Sequence, residues 1–311
     1  MGVECNSTPQ VSLYERRSPR RLAPSNNRSW RSDIMRPGAD KFVENHENLR
    51  MVTRPEDYGI VPPRHPLTGE MNMPRDKKSK RHPVVTSKAW LKARTALLAK
   101  EKAFTRLRDK LSQQRRELPW EHVEKKYVFD GPAGKESLAE LFGSRSQLVV
   151  YHFMFNPASE EGCKHCSFWA DNFNGIVVHL NHRDVTFVAI SRAPLGKIEA
   201  FRKRMGWNFK WLSSAENDFN YDYQASFTPA AIQSGTVFYN YAKQKMNMSD
   251  REGVSVFYKD ASGAIFHTYS AYARGIDMMN AAYHYLDLVP KGRHEGDSPQ
   301  SWVRFHDRYD D

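Results

Sequence analysis

The spacing of apolar positions divides the chain into three parts. Residues 1–85 show no sustained period. Large apolar residues then recur at helical spacing over residues 86–118, and Pro119 ends that pattern. Beyond it, short apolar runs typical of buried strands alternate with helix-like stretches. The pattern predicts an unstructured tail over residues 1–85, one long amphipathic helix over 86–118 and an α/β domain.

The predicted long helix begins at Thr86 or Ser87, either of which can cap it. Its apolar stripe consists of Trp90, Leu91, Leu97, Leu98, Phe104, Leu107 and Leu111. Such a stripe needs an apolar partner, so we expect the helix to dock on the domain that follows. A basic amphipathic helix can also lie on a membrane or on a partner protein, but acidic residues dilute its charge, which favours docking.

The domain is predicted over residues 119–290, with residues 291–311 as a C-terminal tail. Its predicted elements are a strand and turn at 127–134, a short helix at 137–142, buried strands at 147–155 and 184–191, helices at 167–180 and 195–205, a short strand at 207–212, a hairpin at 254–270 and a closing helix at 276–285. Parallel strands followed by an antiparallel hairpin and a final helix form the thioredoxin-like order. We therefore expect a central mixed sheet flanked by helices.

Charge is distributed unevenly along the chain. Residues 1–120 hold 26 Lys and Arg against 13 Asp and Glu, whereas residues 121–311 hold 21 against 23. The first 85 residues are also rich in Arg, Pro, Ser and Asn, which predicts a disordered basic tail. Such a tail can bind nucleic acid or an anionic membrane, and residues 77–81 could be a localisation signal. No aromatic platform accompanies the cations, so we expect no specific nucleic-acid binding.

Composition bounds the compartment. No stretch approaches the roughly 20 apolar residues of a membrane helix, which predicts a soluble protein that does not span a membrane. The three cysteines, Cys5, Cys163 and Cys166, are too few for a disulfide framework, so a reducing, cytoplasmic compartment is expected. No cofactor is expected, and the sequence leaves the oligomeric state open.

The motif Cys163-Lys164-His165-Cys166 lies between a predicted strand and a predicted helix. A helix N-terminus offers unpaired N–H groups and partial positive charge, which favour a reactive thiolate. Cys163, nearer the helix start, is expected to attack, and Cys166 to resolve a mixed disulfide. Lys164 and His165 add positive charge beside the pair.

Other residues leave the chemistry of the motif open. Glu160 and Glu161 would raise the thiol pKa if they faced it, so the sign of the net shift is undetermined. Trp169 is expected to pack beside the dithiol, although it could equally be ordinary core. The cysteines could also be inert buried thiols or half of a zinc site. The candidate third and fourth zinc ligands are His152, His165, His179 and His182. No second paired ligand motif follows, so a metal is not expected.

Several long motifs occur in the stretch from about residue 117, with the first motif beginning at residue 116, to residue 293. They are residues 116–120, 147–155, 160–163, 166–175, 191–195 and 283–288. Together they resemble DUF899, a family of thioredoxin-like proteins. The resemblance implies a thioredoxin-like fold and a dithiol–disulfide oxidoreductase activity on a thiol or disulfide substrate, protein or small molecule. It implies no particular substrate.

Two departures from active thioredoxin-fold enzymes keep other functions open. Thioredoxins carry a cis-proline before the hairpin strand, whereas residues 251–255 contain no proline. Peroxiredoxins carry a Thr where this chain has Glu160, although Arg192 could supply the guanidinium that they also use. The alternatives are a thiol peroxidase and a non-catalytic thioredoxin-like binding protein that uses the Tyr- and Asn-rich residues 218–251.

Overall fold

A computed structural model describes residues 82–309 of the chain. The tail predicted over residues 1–85 therefore lies outside the described part, apart from its last four residues. None of the helices in the described part has the length and apolar character needed to span a membrane.

The described residues form ten strands. They are β1 (Glu121–His122), β2 (Val128–Gly131), β3 (Gly134–Ser137), β4 (Gln147–His152), β5 (Val185–Ser191), β6 (Lys210–Ser213), β7 (Val237–Tyr239), β8 (Ala242–Gln244), β9 (Gly253–Lys259) and β10 (Ile265–Tyr272). Eight of them make one sheet in the order β1-β10-β9-β4-β5-β6-β2-β3, and β7 pairs with β8 separately.

The helices lie between and after these strands. They are α1 (Ser87–Arg116), α2 (Leu138–Leu141), α3 (Lys164–Ala170), α4 (Val177–Asn181), α5 (Leu195–Arg204), α6 (Phe219–Asp222), α7 (Pro229–Gln233) and α8 (Ala281–Leu286). A 3₁₀ helix, Ala273–Met279, links β10 to α8.

The centre of the sheet has the predicted thioredoxin-like arrangement. β4 pairs in parallel with β5 and antiparallel with β9, which in turn pairs with β10. β6 continues the parallel run beside β5. His152 pairs with Gly253, so the end of β4 and the start of β9 meet at one edge. The predicted α/β fold, a mixed sheet flanked by helices, is confirmed.

Two aromatic clusters cover the two faces of the sheet. Alternate residues of β4 join different clusters because successive side chains of a strand point to opposite faces. One cluster contains Tyr151, Phe153, Cys166, Trp169, Phe173 and Trp211. The other contains Phe129, Phe142, Leu148, Val150 and Phe257. Burial of so many large rings accounts for much of the stability of the fold.

The long helix forms where it was predicted, but its apolar stripe does not dock on the domain. Thr86 caps it by accepting a hydrogen bond from the Ala89 N–H, and no residue of α1 is buried. Trp90 and Phe104 are 58% and 64% exposed. The expected burial of the stripe against the sheet or its helices is thus not observed.

The helix predicted over residues 167–180 is two helices, α3 and α4. Between them, the Asn172 amide donates to the carbonyls of Phe168 and Trp169, and Asn174 bonds to the backbone of Gly206 and Asn208. Side-chain amides that compete for backbone partners interrupt a helix, which explains the break.

The described part of the predicted C-terminal tail, residues 291–309, packs on the domain. Val303 is fully buried, and Trp302 and Phe305 pack against the cluster that contains Cys166. Arg308 donates two hydrogen bonds to Glu161. The structured domain therefore extends to the end of the described residues.

Candidate active site at the cysteine motif

Backbone hydrogen bonds fix the cysteine motif at the end of β4. Cys163 caps α3 with extended backbone, and its N–H donates to the Met154 carbonyl over 3.0 Å. The Cys163 carbonyl accepts from both the N–H and the hydroxyl of Ser167, each over 2.9 Å. Both contacts hold Cys163 at the first turn of α3.

The two thiols differ in exposure. Cys163 is partly exposed and lines a cavity, whereas Cys166 is 2% exposed and lies in the aromatic core. The Met154 N–H donates to the Cys166 Sγ over 3.4 Å. Both cysteines are free thiols.

The pKa values of the two thiols are shifted in opposite directions. The interaction with the Cys166 thiol, together with His165, lowers the pKa of Cys163 well below its usual value despite the cost of burial. Burial raises the pKa of Cys166, and its contact with Cys163 adds to that effect. The arrangement therefore favours ionisation of Cys163 before Cys166. Lys164, the first residue of α3, is partly exposed.

The acidic residues before the motif are paired with cations. Glu160 bonds to Lys197 over 2.8 Å, and Glu161 forms ion pairs with Arg204 and Arg308. Their charges are balanced locally, so they oppose the Cys163 thiolate less than isolated carboxylates would.

A cavity of about 360 Å³ opens at Cys163. Its walls combine the thioether side chains of Met154 and Met248 with the polar side chains of Asn156, Ser249 and Asp250. The partly exposed Cys163 thus borders a space that can admit a substrate group.

Arg192 does not line this cavity but holds Asp250, which does. Its Nε and Nη2 donate to the two Asp250 oxygens over 2.7 and 2.8 Å, and Nη1 donates to the Tyr221 hydroxyl. Asp250 also accepts from Ser226, Asn156 and Ser249. Since three of its donors are already engaged, Arg192 fixes the cavity wall rather than offering a free guanidinium at Cys163.

Trp169 lies in the core cluster that also holds Cys166. Its indole N–H donates to the Ile276 carbonyl over 3.0 Å, and its ring meets those of Phe168 and Tyr283 edge to face. These contacts anchor α3 on the 3₁₀ helix and α8.

Of the histidines considered as zinc ligands, His165 lies beside Cys163, but within residues 82–309 the candidates do not form a metal site with the cysteines. His152 lies on the opposite face of the sheet, bonded to Ser255 and stacked on Phe219. Burial lowers its pKa to about 3, so it is neutral at physiological pH. Within residues 82–309, no three His, Cys, Asp or Glu side chains form a group that could hold a metal ion.

One protein family matches all of the described residues. The family described as "Bacterial protein of unknown function (DUF899)" matches residues 79–309. The chain belongs to this family. No curated protein matches this DUF899 chain.

Solved structures with some similarity are peroxiredoxins. Peroxidoxin BcpB from Mycobacterium tuberculosis is 14% identical and the match covers 52% of this DUF899 chain and 93% of that chain, with a TM-score of 0.36. Peroxiredoxin Q from Xanthomonas campestris is 10% identical, with 50% and 86% covered and a TM-score of 0.36. A yeast mitochondrial 1-Cys peroxiredoxin is 13% identical, with 55% and 78% covered and a TM-score of 0.34. We draw no functional conclusion from similarities of this size.

Two residues near the cysteines were missed in the sequence of the DUF899 chain. Tyr151, on β4, is fully buried in the cluster that contains Cys166. Glu252, just before β9, lies 3.5 Å from Arg251, and burial raises its pKa. Their position in the sequence could have indicated them, because both residues flank the edge where β4 ends and β9 begins.

Gly162 lets the cysteine loop approach the core. A Cβ at this position would lie 2.7 Å from the Phe153 ring and 2.8 Å from the Phe201 ring, both of which are buried.

We expect Gly162→Ala to lower the free energy of unfolding by about 1–3 kcal/mol through overpacking. Urea unfolding measures this change. Gly196→Ala, where no atom lies within 4 Å of the added Cβ, is the matched control and should not destabilise the protein. Equal stability of the two variants would contradict the prediction.

Proposed function

We propose that this DUF899 protein is a thiol–disulfide oxidoreductase in which Cys163 attacks and Cys166 resolves. One observation carries the proposal: Cys163 lines a cavity at the start of α3, and its pKa is lowered through Cys166, a buried thiol whose own pKa is raised. This asymmetry is what a dithiol needs for the first thiol to react as an anion while the second keeps its proton until required.

The proposed reaction oxidises the dithiol and reduces a substrate disulfide R–S–S–R′. The Cys163 thiolate attacks one sulfur, forms the Cys163–S–S–R bond and releases R′–S⁻. Cys166 then gives up its proton and attacks the Cys163 sulfur, so that the Cys163–Cys166 bond forms and R–S⁻ leaves. The two released thiolates take up the Cys166 proton and one proton from solvent, and the dithiol loses two electrons.

Neighbouring residues have supporting roles in this proposal. The positive charge of Lys164 and of protonated His165 would stabilise the Cys163 thiolate. Trp169 would hold α3 in place through its bond to Ile276, and Arg192 would hold the cavity wall through Asp250. The substrate is a thiol or disulfide, on a protein or a small molecule, that the cavity admits.

The pH dependence of alkylation tests the proposed ionisation. In a chain with Cys5→Ser, iodoacetamide should modify Cys163 first, with a midpoint well below the free-cysteine pKa of about 8.5. The depressed pKa follows from the interaction with Cys166 and from His165, so Cys166→Ala in the same background should move the midpoint upward. A Cys163 midpoint at or above that of free cysteine would overturn the proposal.

Turnover distinguishes this function from the other candidates. Catalysed reduction of insulin disulfides by dithiothreitol supports the oxidoreductase. Turnover of hydrogen peroxide with sulfenic acid at Cys163, and none of insulin, would assign the thiol peroxidase instead. If the protein turns over neither substrate, the non-catalytic binding protein replaces the proposal.

A further inference from the structure

The Tyr151 hydroxyl is an unpaired polar group in the core beside Cys166. The side chain is fully buried, and its hydroxyl has no hydrogen-bond partner among residues 82–309. Edge-to-face contacts with Phe153 and Phe173 fix the ring. A buried hydroxyl without a partner costs free energy, so its presence in a packed core calls for an explanation.

The residues around the Tyr151 hydroxyl explain why it has no partner. Tyr151 and Cys166 belong to the same buried cluster, and the proximity of the Cys166 sulfur adds to the burial that raises the Tyr151 pKa. In the resting protein Cys166 is a thiol, which accepts hydrogen bonds weakly. A Cys166 thiolate would be a strong acceptor. The Met154 N–H already donates to its sulfur, and the Tyr151 hydroxyl lies in the same buried cluster without a partner.

We propose that Tyr151 donates a hydrogen bond to the Cys166 thiolate during its attack on the mixed disulfide. This inference rests on the proposed function. The hydroxyl keeps its own proton throughout. The Cys166 electron pair forms the bond to the Cys163 sulfur, the Cys163–S–R bond breaks, and R–S⁻ takes up the proton that Cys166 released.

The two steps can be followed with Ellman's reagent, 5,5′-dithiobis(2-nitrobenzoate), on the full chain with Cys5→Ser. The first thionitrobenzoate released reports attack by Cys163, and the second reports attack by Cys166. We expect Tyr151→Phe to leave the first phase unchanged and to slow the second about 10- to 100-fold, as loss of a hydrogen bond to a charged group requires. In Tyr151→Phe the second phase should also require a higher pH than in the parent.

Tyr283→Phe is the matched control. Tyr283 is 1% exposed in the same cluster, but its hydroxyl donates to Glu295 over 2.8 Å. Removing that bond should lower the melting temperature and leave the second phase unchanged, whereas Tyr151→Phe should not lower the melting temperature. A second phase in Tyr151→Phe equal to that of the parent would overturn the inference alone. Absence of both phases in the parent protein would overturn the proposed function.

Helix α1 carries a second, independent inference. Five large apolar residues lie on it at spacings of seven or three to four: Trp90, Leu97, Phe104, Leu107 and Leu111. All of them are exposed by between 43% and 64%. Exposed apolar area in this arrangement marks an interaction surface.

The charge of α1 indicates what covers this surface. The helix holds ten Lys and Arg against Glu101 and Asp109, a net charge of +8. Within residues 82–309, Arg94 is its only cation with a carboxylate within 4 Å, namely Glu101. A second copy of the helix would bring like charges together, whereas an anionic lipid surface would satisfy both the apolar residues and the cations. We infer that α1 binds the surface of an anionic membrane.

Vesicle flotation tests this inference on the full chain. The protein should float with phosphatidylcholine vesicles that contain phosphatidylglycerol and not with phosphatidylcholine alone, and high salt should weaken the binding. In the double variant Leu97→Glu and Phe104→Glu, binding to these vesicles should be at least about tenfold weaker. Leu288→Glu, at a position 81% exposed outside α1, should bind normally. No flotation with anionic vesicles, or a dimer in solution that the double variant dissociates, would overturn it.

Discussion

Cys163→Ser abolishes disulfide reduction in the proposed mechanism, with a loss of at least about 1,000-fold, because a serine hydroxyl is not ionised at neutral pH and cannot replace the thiolate. The substitution removes one sulfur from a partly exposed site, so the fold should be retained. Insulin turnover and a thermal unfolding curve measure the two effects. A Cys163→Ser protein that still reduces insulin would show that this thiol does not attack.

Cys166→Ser should instead stop the reaction halfway. The Cys163 thiolate can still form a mixed disulfide, but no buried thiol remains to resolve it. Mass spectrometry under non-reducing conditions should find the substrate attached to Cys163. Cys5→Ser is the control and should turn over as the parent does. Free Cys163 after incubation with a disulfide would contradict the resolving role of Cys166.

Asp250→Ala is expected to lower the free energy of unfolding by about 3–5 kcal/mol, because it leaves the guanidinium of Arg192 without its buried partner. The side chains of Asp250 and Arg192 are 8% and 13% exposed, and two hydrogen bonds join them. Urea unfolding at neutral pH measures the loss. Glu216→Ala removes an exposed partner of Lys135 and is the control, with little expected change.

The pH dependence of the same variant follows from the Asp250 carboxyl. Burial would raise its pKa, but the hydrogen bonds and charge of Arg192, with bonds from Ser226 and Ser249, lower it below its ordinary value. A depressed folded-state pKa gives stability that is present above the unfolded value of about 3.9 and is lost as the pH falls through the folded value. The difference between parent and variant should therefore be large at neutral pH and shrink in acid. A difference independent of pH would show that the pair contributes no ionic stabilisation.

The central elements of the fold could be predicted because their signals are local. Apolar runs at residues 147–155 and 184–191 indicate buried strands, and an Asp-Ala-Ser-Gly turn at 260–263 indicates the hairpin. β1 and β3 gave no such signal. β1 has two residues and exists through its pairing with β10. β3 follows β2 by a tight turn and occupies the residues between the predicted turn at 131–134 and the predicted helix at 137–142. Strands of this kind depend on partners rather than on their own sequence.

The surroundings of each element were harder to predict than the element itself. The amphipathic pattern of α1 specified a helix, but burial depends on what packs against it, and nothing covers its stripe in the described part of the chain. The opposite holds for Val303, which is fully buried although its segment was predicted as a tail, and whose neighbours Trp302 and Phe305 pack against the aromatic cluster. Hydrophobic pattern alone does not distinguish these cases.

The sequence by itself determined that two cysteines stand at the start of a helix after a buried strand, since spacing along the chain defines both. Only the tertiary structure decided which sulfur is accessible and in which direction each pKa moves. The burial of Cys166 and the cavity beside Cys163 depend on groups distant in sequence, namely the aromatic cluster and the wall held by Asp250, and that burial raises the Cys166 pKa. The lowered pKa of Cys163 follows from how the fold places Cys166 and His165 around it. Burial and charge act through space, so they become defined only when the sheet has brought these residues together.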